Sequence, residues 1–314
     1  MKFLKENTNT LTDKLDLSNN LKSFLVSSDF KEMLNDYDID NIYKYTSSHS
    51  FSSKDICSLT QLLYSIGVNP LNYLTYVPSF FLCDIDSTID ISIPNNITRI
   101  GDYAFYDCTG LIGISIPDSV TTIGTRAFDG CSKLTKIVIP NGVMNISREA
   151  FAYCSSLTNI TIGNGVTSIG DYAFYNCTSL SSVTIGNSVK SIGDWVFSRC
   201  PRLTSVTIPD SVTSIGQYIF RYCSDLYTIT INSNITEINA GFAQVCENLT
   251  EVFIPKTVLI IGNYSFSDCP SLREIHYGGT KQEWRKIKKH GTWKLASPIQ
   301  TIHCIDGDIN YKVV

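Results

Sequence analysis

Ile114-Ser115-Ile116-Pro117-Asp118-Ser119-Val120-Thr121-Thr122-Ile123-Gly124-Thr125-Arg126-Ala127-Phe128-Asp129-Gly130-Cys131 closes with Ser132-Lys133-Leu134-Thr135-Lys136 and restarts at Ile137-Val138-Ile139-Pro140. The period is 23, and cysteine marks it without a slip at Cys108, Cys131, Cys154, Cys177, Cys200, Cys223, Cys246 and Cys269. Leucine keeps step three residues later, from Leu111 to Leu272. Self-similarity at such a period is the signature of stacked repeats, and eight units fill residues 91–274.

Each unit reads as one turn of a solenoid. Leu111-x-x-Ile114-x-Ile116 alternates apolar and polar residues at period two, as a half-buried strand does. Pro117, or Gly163 and Gly186 in its place, ends the strand, because proline donates nothing to a ladder. Val120 and Ile123 then turn back inside. Asp102, Asp171 and Asp194 precede an aromatic-rich stretch and read as N-caps of a short helix. A single unit cannot bury its own apolar edge, whereas stacked units share one core. The fold class expected is a repeat solenoid with a parallel sheet on one side, roughly 38 Å across at ~4.8 Å per strand, and short helices or turns on the other.

The pattern Ile-x-Ile-Pro-x-x-Val-Thr-x-Ile-Gly-x-x-Ala-Phe-x-x-Cys-x-x-Leu resembles the BspA-type leucine-rich repeat family, most closely over Ile114 to Leu134 and Val206 to Leu226. Tyr277-Gly278-Gly279-Thr280-Lys281-Gln282-Glu283-Trp284 and Ile302-His303-Cys304-Ile305-Asp306-Gly307 are similar to the closing unit of that family. Ala240-Gly241-Phe242-Ala243 departs from the pattern by moving the aromatic one place. The resemblance implies a binding surface, often for adhesion to host or matrix proteins, and no catalytic residues.

The flanks read as caps, so the chain divides into a mostly helical segment 1–90, the repeats 91–274 and a C-terminal cap 275–314. Ser53 is placed to cap a helix through Ile56, Leu59, Leu62 and Leu63 that ends before Gly67. Asn69-Pro70 opens a second, short helix. Residues 1–25 carry weak periodicity, as a partly disordered segment or an attachment arm does. Thr280 and Glu283 make a capping box for a helix bearing Trp284 and Ile287. Asp306-Gly307 reads as a tight turn between two final strands. Arg285, Lys286, Lys288 and Lys289 read as the solvated side of a cap helix.

Composition narrows the function. Net charge is −4, with −5 on residues 1–90, −3 on 91–274 and +4 on 275–314. A mildly acidic body lacks the basic stripe that tracks phosphates, which argues against nucleic acid. No stretch reaches the ~18 to 20 apolar residues of a membrane helix. Met1-Lys2-Phe3-Leu4-Lys5-Glu6-Asn7 lacks the apolar core of a secretion signal, which leaves the cytoplasm or an assembly exported by another route. His49, His276, His290 and His303 all lie outside 91–274, so the array has no histidine base for a Ser or Cys nucleophile. No CxxC or Cys/His spacing indicates a metal or a cofactor, and the cysteines read as small buried hydrophobes suited to a reducing environment.

Two surfaces compete as binding faces. On the strand side, Thr161, Thr184, Thr207 and Thr230 form a hydroxyl lawn that Tyr227 and Phe253 extend. At the edge of the turns stands an aromatic row of Tyr103, Tyr172, Trp195, Tyr218 and Tyr264. Threonine also favours exposed strand positions, and stacked aromatics also seal a repeat core. The function expected is a non-enzymatic recognition scaffold for a protein or glycan. A structural or display component of a cell-surface appendage or bacteriophage particle is the alternative, and an enzyme is a third reading.

Overall fold

The computed structural model describes residues 18–35, 38–49, 51–65, 68–82 and 89–311. The apolar alternation becomes a parallel sheet whose strands pair at an offset of 23. Lys136–Ile139 lies beside Asn159–Ile162 and then Ser182–Thr184, with Ile137 opposite Ile160 and Val183. The next block runs Ser205–Ile208, Thr228–Ile231, Glu251–Ile254, Glu274–Tyr277 and Thr301–Cys304. Alternate residues such as Ile137, Ile139, Ile160, Ile162, Val206 and Ile208 point inward and are buried, while the residues between them, Val138 included, face out. Ladder pairing lapses between Ser182–Thr184 and Ser205–Ile208, so this sheet is built in blocks.

A second sheet, not foreseen from the sequence, runs along the neighbouring side. Its strands are only two residues long, such as Thr122–Ile123 and Asn145–Ile146. Among the described residues there are ten of them, seven in one ladder and three in the next. The ladder starts at Tyr76–Val77, which pairs with Arg99–Ile100, and ends at Lys288–Lys289, which pairs with Ile260–Ile261. The stacking therefore continues past both ends of the eight-unit block.

On the third side the aspartates cap no helix. The stretch is a turn whose amides bond to the following unit: Tyr103 donates to the Thr125 carbonyl at 2.8 Å and Phe105 to Ala127 at 2.7 Å. Two residues per turn, including Tyr172 (φ 57°) and Asn176 (φ 57°), adopt left-handed backbone, which no right-handed helix accommodates. Asp102 Oδ1 instead accepts the amide of Thr125 at 2.8 Å, and Asp171 and Asp194 repeat this one unit on. Gly124 permits the close approach, since a Cβ there would lie 2.6 Å from the Asp102 backbone nitrogen.

Inside, the repeated side chains form columns. The eight ladder cysteines are buried, and those from Cys131 to Cys269 form no disulfide. Each thiol from Cys131 to Cys269 donates to a carbonyl 26 residues back, as Cys154 does to Phe128 at 3.2 Å. The rings of Phe105, Phe128, Phe151, Phe174, Phe197 and Phe220 stack within 9° of parallel at 4.9 to 5.9 Å. At the irregular unit the column continues but turns edge-on, with Phe242 at 88° to Phe220. Gly241 (φ 62°) leaves room there for the Tyr218 ring, which a Cβ would meet at 2.0 Å.

Four helices precede the stack among the described residues: Asn19–Val26 (α1), Ser28–Asn35 (α2), Ile39–Ser48 (α3) and Ser53–Ser65 (α4). The hydroxyl that accepts the Asp55 amide at the start of α4 is that of Ser52, one residue before the expected cap. Asn69 caps a 3-10 turn, Pro70–Asn72, by accepting from Leu71 at 3.0 Å. Residues 1–17 and Gly67 lie outside the described residues. At the other end, Lys281–Lys286 (α5) starts in the expected capping box, and Thr301–Cys304 and Gly307–Asn310 form an antiparallel hairpin. Lys289 does not join a solvated face: its ammonium donates to the Trp284 and Ile287 carbonyls, and burial lowers its pKa to about 8.

Candidate functional site

The strand-side candidates fall into two adjoining groups. Thr161 and Thr184 are register partners on one block, and Thr207, Thr230 and Phe253 are register partners on the next. Thr161, Thr184 and Thr207 are exposed, Thr230 is half-buried, and Phe253 is 37 % exposed. Tyr227 sits just ahead of its strand and is 51 % exposed. A shallow concavity of about 580 Å³ opens where the blocks meet, lined by Thr184, Ser205, Thr207, Pro209, Asp210 and Asn232 among others. Asn232 also lines a second hollow of about 480 Å³ that continues past Phe253, His276 and His303. The two hollows share Asn232 and are together called the trough of the strand face.

Threonine does two separate jobs on this side of the molecule. Just before the strands, Thr158, Ser181, Thr204 and Thr250 donate their hydroxyls to carbonyls 23 residues back, at 3.0 to 3.3 Å. Those hydroxyls are consumed by the stack. Thr161, Thr184 and Thr207 stand in the strands and take no part in these ladders, so their hydroxyls are presented outward.

The aromatic row is discontinuous. Tyr172, Trp195 and Tyr218 stack in sequence at 5.9 and 4.4 Å. Tyr103 stacks instead on Phe80 at 5.0 Å, because Arg126 and Glu149 occupy the row positions between it and Tyr172. Gly241 separates Tyr218 from Tyr264. Arginines lie against these rings: Arg148 is 5.4 Å from the Tyr172 centroid, and Arg221 is 5.6 Å from both Trp195 and Tyr218. The faces of these rings are thus largely occupied within the molecule.

Two acidic groups at the row, Asp129 and Glu149, are buried. Asp129 lies 3.7 Å from the Arg126 guanidinium, while Arg126 also pairs with Glu149. Burial raises the Asp129 pKa to about 7, against the pull of Arg126 and with a further push from Glu149 and Asp107.

Sequence reasoning set Phe253 on the strand face but missed the pairing of His276 with His303 that completes a cluster at its C-terminal end. Phe253, His276 and His303 stack there at 4.4 and 4.7 Å, with Glu251 and Glu274 in the adjacent column. His276 follows Phe253 by one period, but His303 lies 27 residues further on because α5 lengthens the last turn. That break in period hides the pairing from a 23-residue search. Adjacent residues of a strand face opposite ways, so the pair His303-Cys304 gives no hint of His276 on the neighbouring strand.

No curated protein matches this chain. It is similar to a leucine-rich cell-surface protein from Faecalibacterium prausnitzii, at 25 % identity and a TM-score of 0.48, over 64 % of this chain and 82 % of that one. It is also similar to a leucine-rich repeat protein of T. pallidum, at 26 % identity and a TM-score of 0.46, over 70 % and 90 %. Among the described residues no helix is long and apolar enough to cross a membrane. Residues 75–200 and 145–273 match the BspA-type leucine-rich repeat region in six copies, so the chain belongs to the BspA-type leucine-rich repeat family.

Proposed function

We propose that this protein is a non-enzymatic recognition scaffold that binds a protein or glycan along the trough of its strand face. One observation carries the reading. The hydroxyls of Thr161, Thr184 and Thr207 stand clear of the inter-turn ladders, and Thr184 and Thr207 line a concavity in a sheet braced by those ladders. Short side chains on a rigid sheet meet a ligand with little loss of conformational entropy. The aromatic row is the weaker candidate, because its rings are already stacked on one another and covered by arginine.

The test is an array of glycans and matrix proteins probed with the full chain and three variants. Thr184→Arg with Thr207→Arg fills the concavity, Tyr227→Ala with Phe253→Ala removes exposed aromatics of the strand face, and Trp195→Ala strips the row. The expected outcome is a ligand lost at least tenfold by the first variant, weakened by the second and kept by the third. A ligand that ignores both strand-face variants and is lost with Trp195→Ala overturns the reading.

A further inference from the structure

Glu251, Glu274, His276 and His303 come from three adjacent parallel strands and share the outward face. Register places Glu251 beside Glu274, and Phe253 beside His276 beside His303. Two residues apart on one strand, Glu274 and His276 point the same way. The four side chains therefore fill four places of a two-by-three grid, Glu251 and Glu274 in one row and His276 and His303 in the other, with Phe253 and Thr301 at the remaining corners.

The chemistry at the centre of the grid is unsatisfied. The Nε2 atoms of His276 and His303 are both buried, and neither has a hydrogen-bond partner. Carboxylate oxygens stand around them, 3.2 Å from His276 (Glu251), 3.9 Å from His276 (Glu274) and 3.6 Å from His303 (Glu274). His303 Nδ1 lies 3.0 Å from the Asp308 carboxylate, which can only accept, so Nδ1 carries the proton. In the neutral ring that leaves Nε2 as a bare lone pair facing Glu274. Lone pairs and carboxylates crowded together repel unless a cation lies between them.

We propose that Glu274, His276 and His303, with Glu251 beside them, bind one divalent transition-metal ion, for which zinc is the best fit. Two imidazoles and carboxylate oxygens are a borderline donor set of the kind zinc takes. Bonds of ~2.0 to 2.1 Å in a tetrahedron put neighbouring ligand atoms roughly 3.3 Å apart. The separations here bracket that figure, and all three principal ligand atoms lie within 4.8 Å of one another. Tilting the two imidazoles, which lie 18° from parallel, converges their lone pairs. Asp308 supplies the carboxylate behind a ligating histidine that fixes its tautomer and orientation. The site adds to the proposed recognition face without depending on it.

The test is a titration of the full chain with zinc against a chromophoric chelator, with thiols kept reduced by a phosphine. Binding of one ion at micromolar affinity or tighter is expected. His276→Gln and His303→Gln should each weaken it at least tenfold, and Asp308→Asn by about tenfold through the orienting contact. Matching melting curves without metal show that the variants remain folded, and zinc should raise the melting temperature of the wild type but not of the double histidine variant His276→Gln with His303→Gln. Cobalt in place of zinc should show visible bands without sulfur-to-metal charge transfer. Absence of binding, binding that survives the double histidine variant, or a sulfur signature each overturns the proposal.

Discussion

At the scale of single residues, the repeat tolerates little that is polar inside, and Asp129 shows the consequence. It is 6 % exposed, and burial holds its carboxyl near pKa 7 against about 3.9 in an unfolded chain. The unfolded chain therefore ionises between pH 4 and 7 while the folded one keeps its proton. This group's contribution to stability falls as pH rises across that window and levels off above it, with a ceiling on the order of 4 kcal/mol for three pKa units. Asp129→Asn should melt higher than wild type at pH 8, with the gap closing toward pH 4. A variant that melts at or below wild type at pH 8 refutes this. The periodicity identified the interior columns of cysteine, leucine and phenylalanine directly, because each is a repeated residue at a fixed phase. It gave no such indication for Asp129, whose place in other units is taken by Tyr106, Ala152, Tyr175, Ser198 and Arg221.

At the scale of the element, sequence reasoning found the long strands, missed the short ones, and expected short helices or turns on the other side with aspartates as helix caps. Four alternating residues such as Asn159–Ile162 carry a period, whereas two residues such as Thr122–Ile123 carry none. The turn was read as a capped helix because an aspartate before an apolar stretch is a genuine capping signal within one chain segment. Here the aspartate accepts an amide 23 residues away, an interaction no local pattern contains. The left-handed positions follow from that ladder, and most units fill the second of them with Asp, Gly or Asn, or with Tyr or Arg. Val245 (φ 60°) is the outlier, since β-branching is poorly tolerated there. Val245→Asn copies the residue at Asn176 and should stabilise the protein by about 0.5 to 1 kcal/mol. Chemical denaturation measures the change, and a loss of stability contradicts the account of the turn.

At the scale of the whole molecule, one register positions everything else. Strand pairing at an offset of 23 sets the outward threonines in line, opens the trough where pairing lapses, and carries Phe253 onto His276. The last turn adds His303 at an offset of 27, so the strand face ends in a different chemistry from its middle. Stability in such a stack is a sum over units and their neighbours. Removing one whole unit should therefore join equivalent positions, while removing a different length should throw every later column out of phase. The direct measurement is thermal melting, followed by circular dichroism, of two deletions: residues 160–182, a full period, and residues 160–177, five residues short of one. The full-period deletion should melt cooperatively within a few degrees of the parent, and the short one should lose its cooperative transition. Two deletions that behave alike would contradict the in-phase stack on which the trough and the histidine cluster both depend.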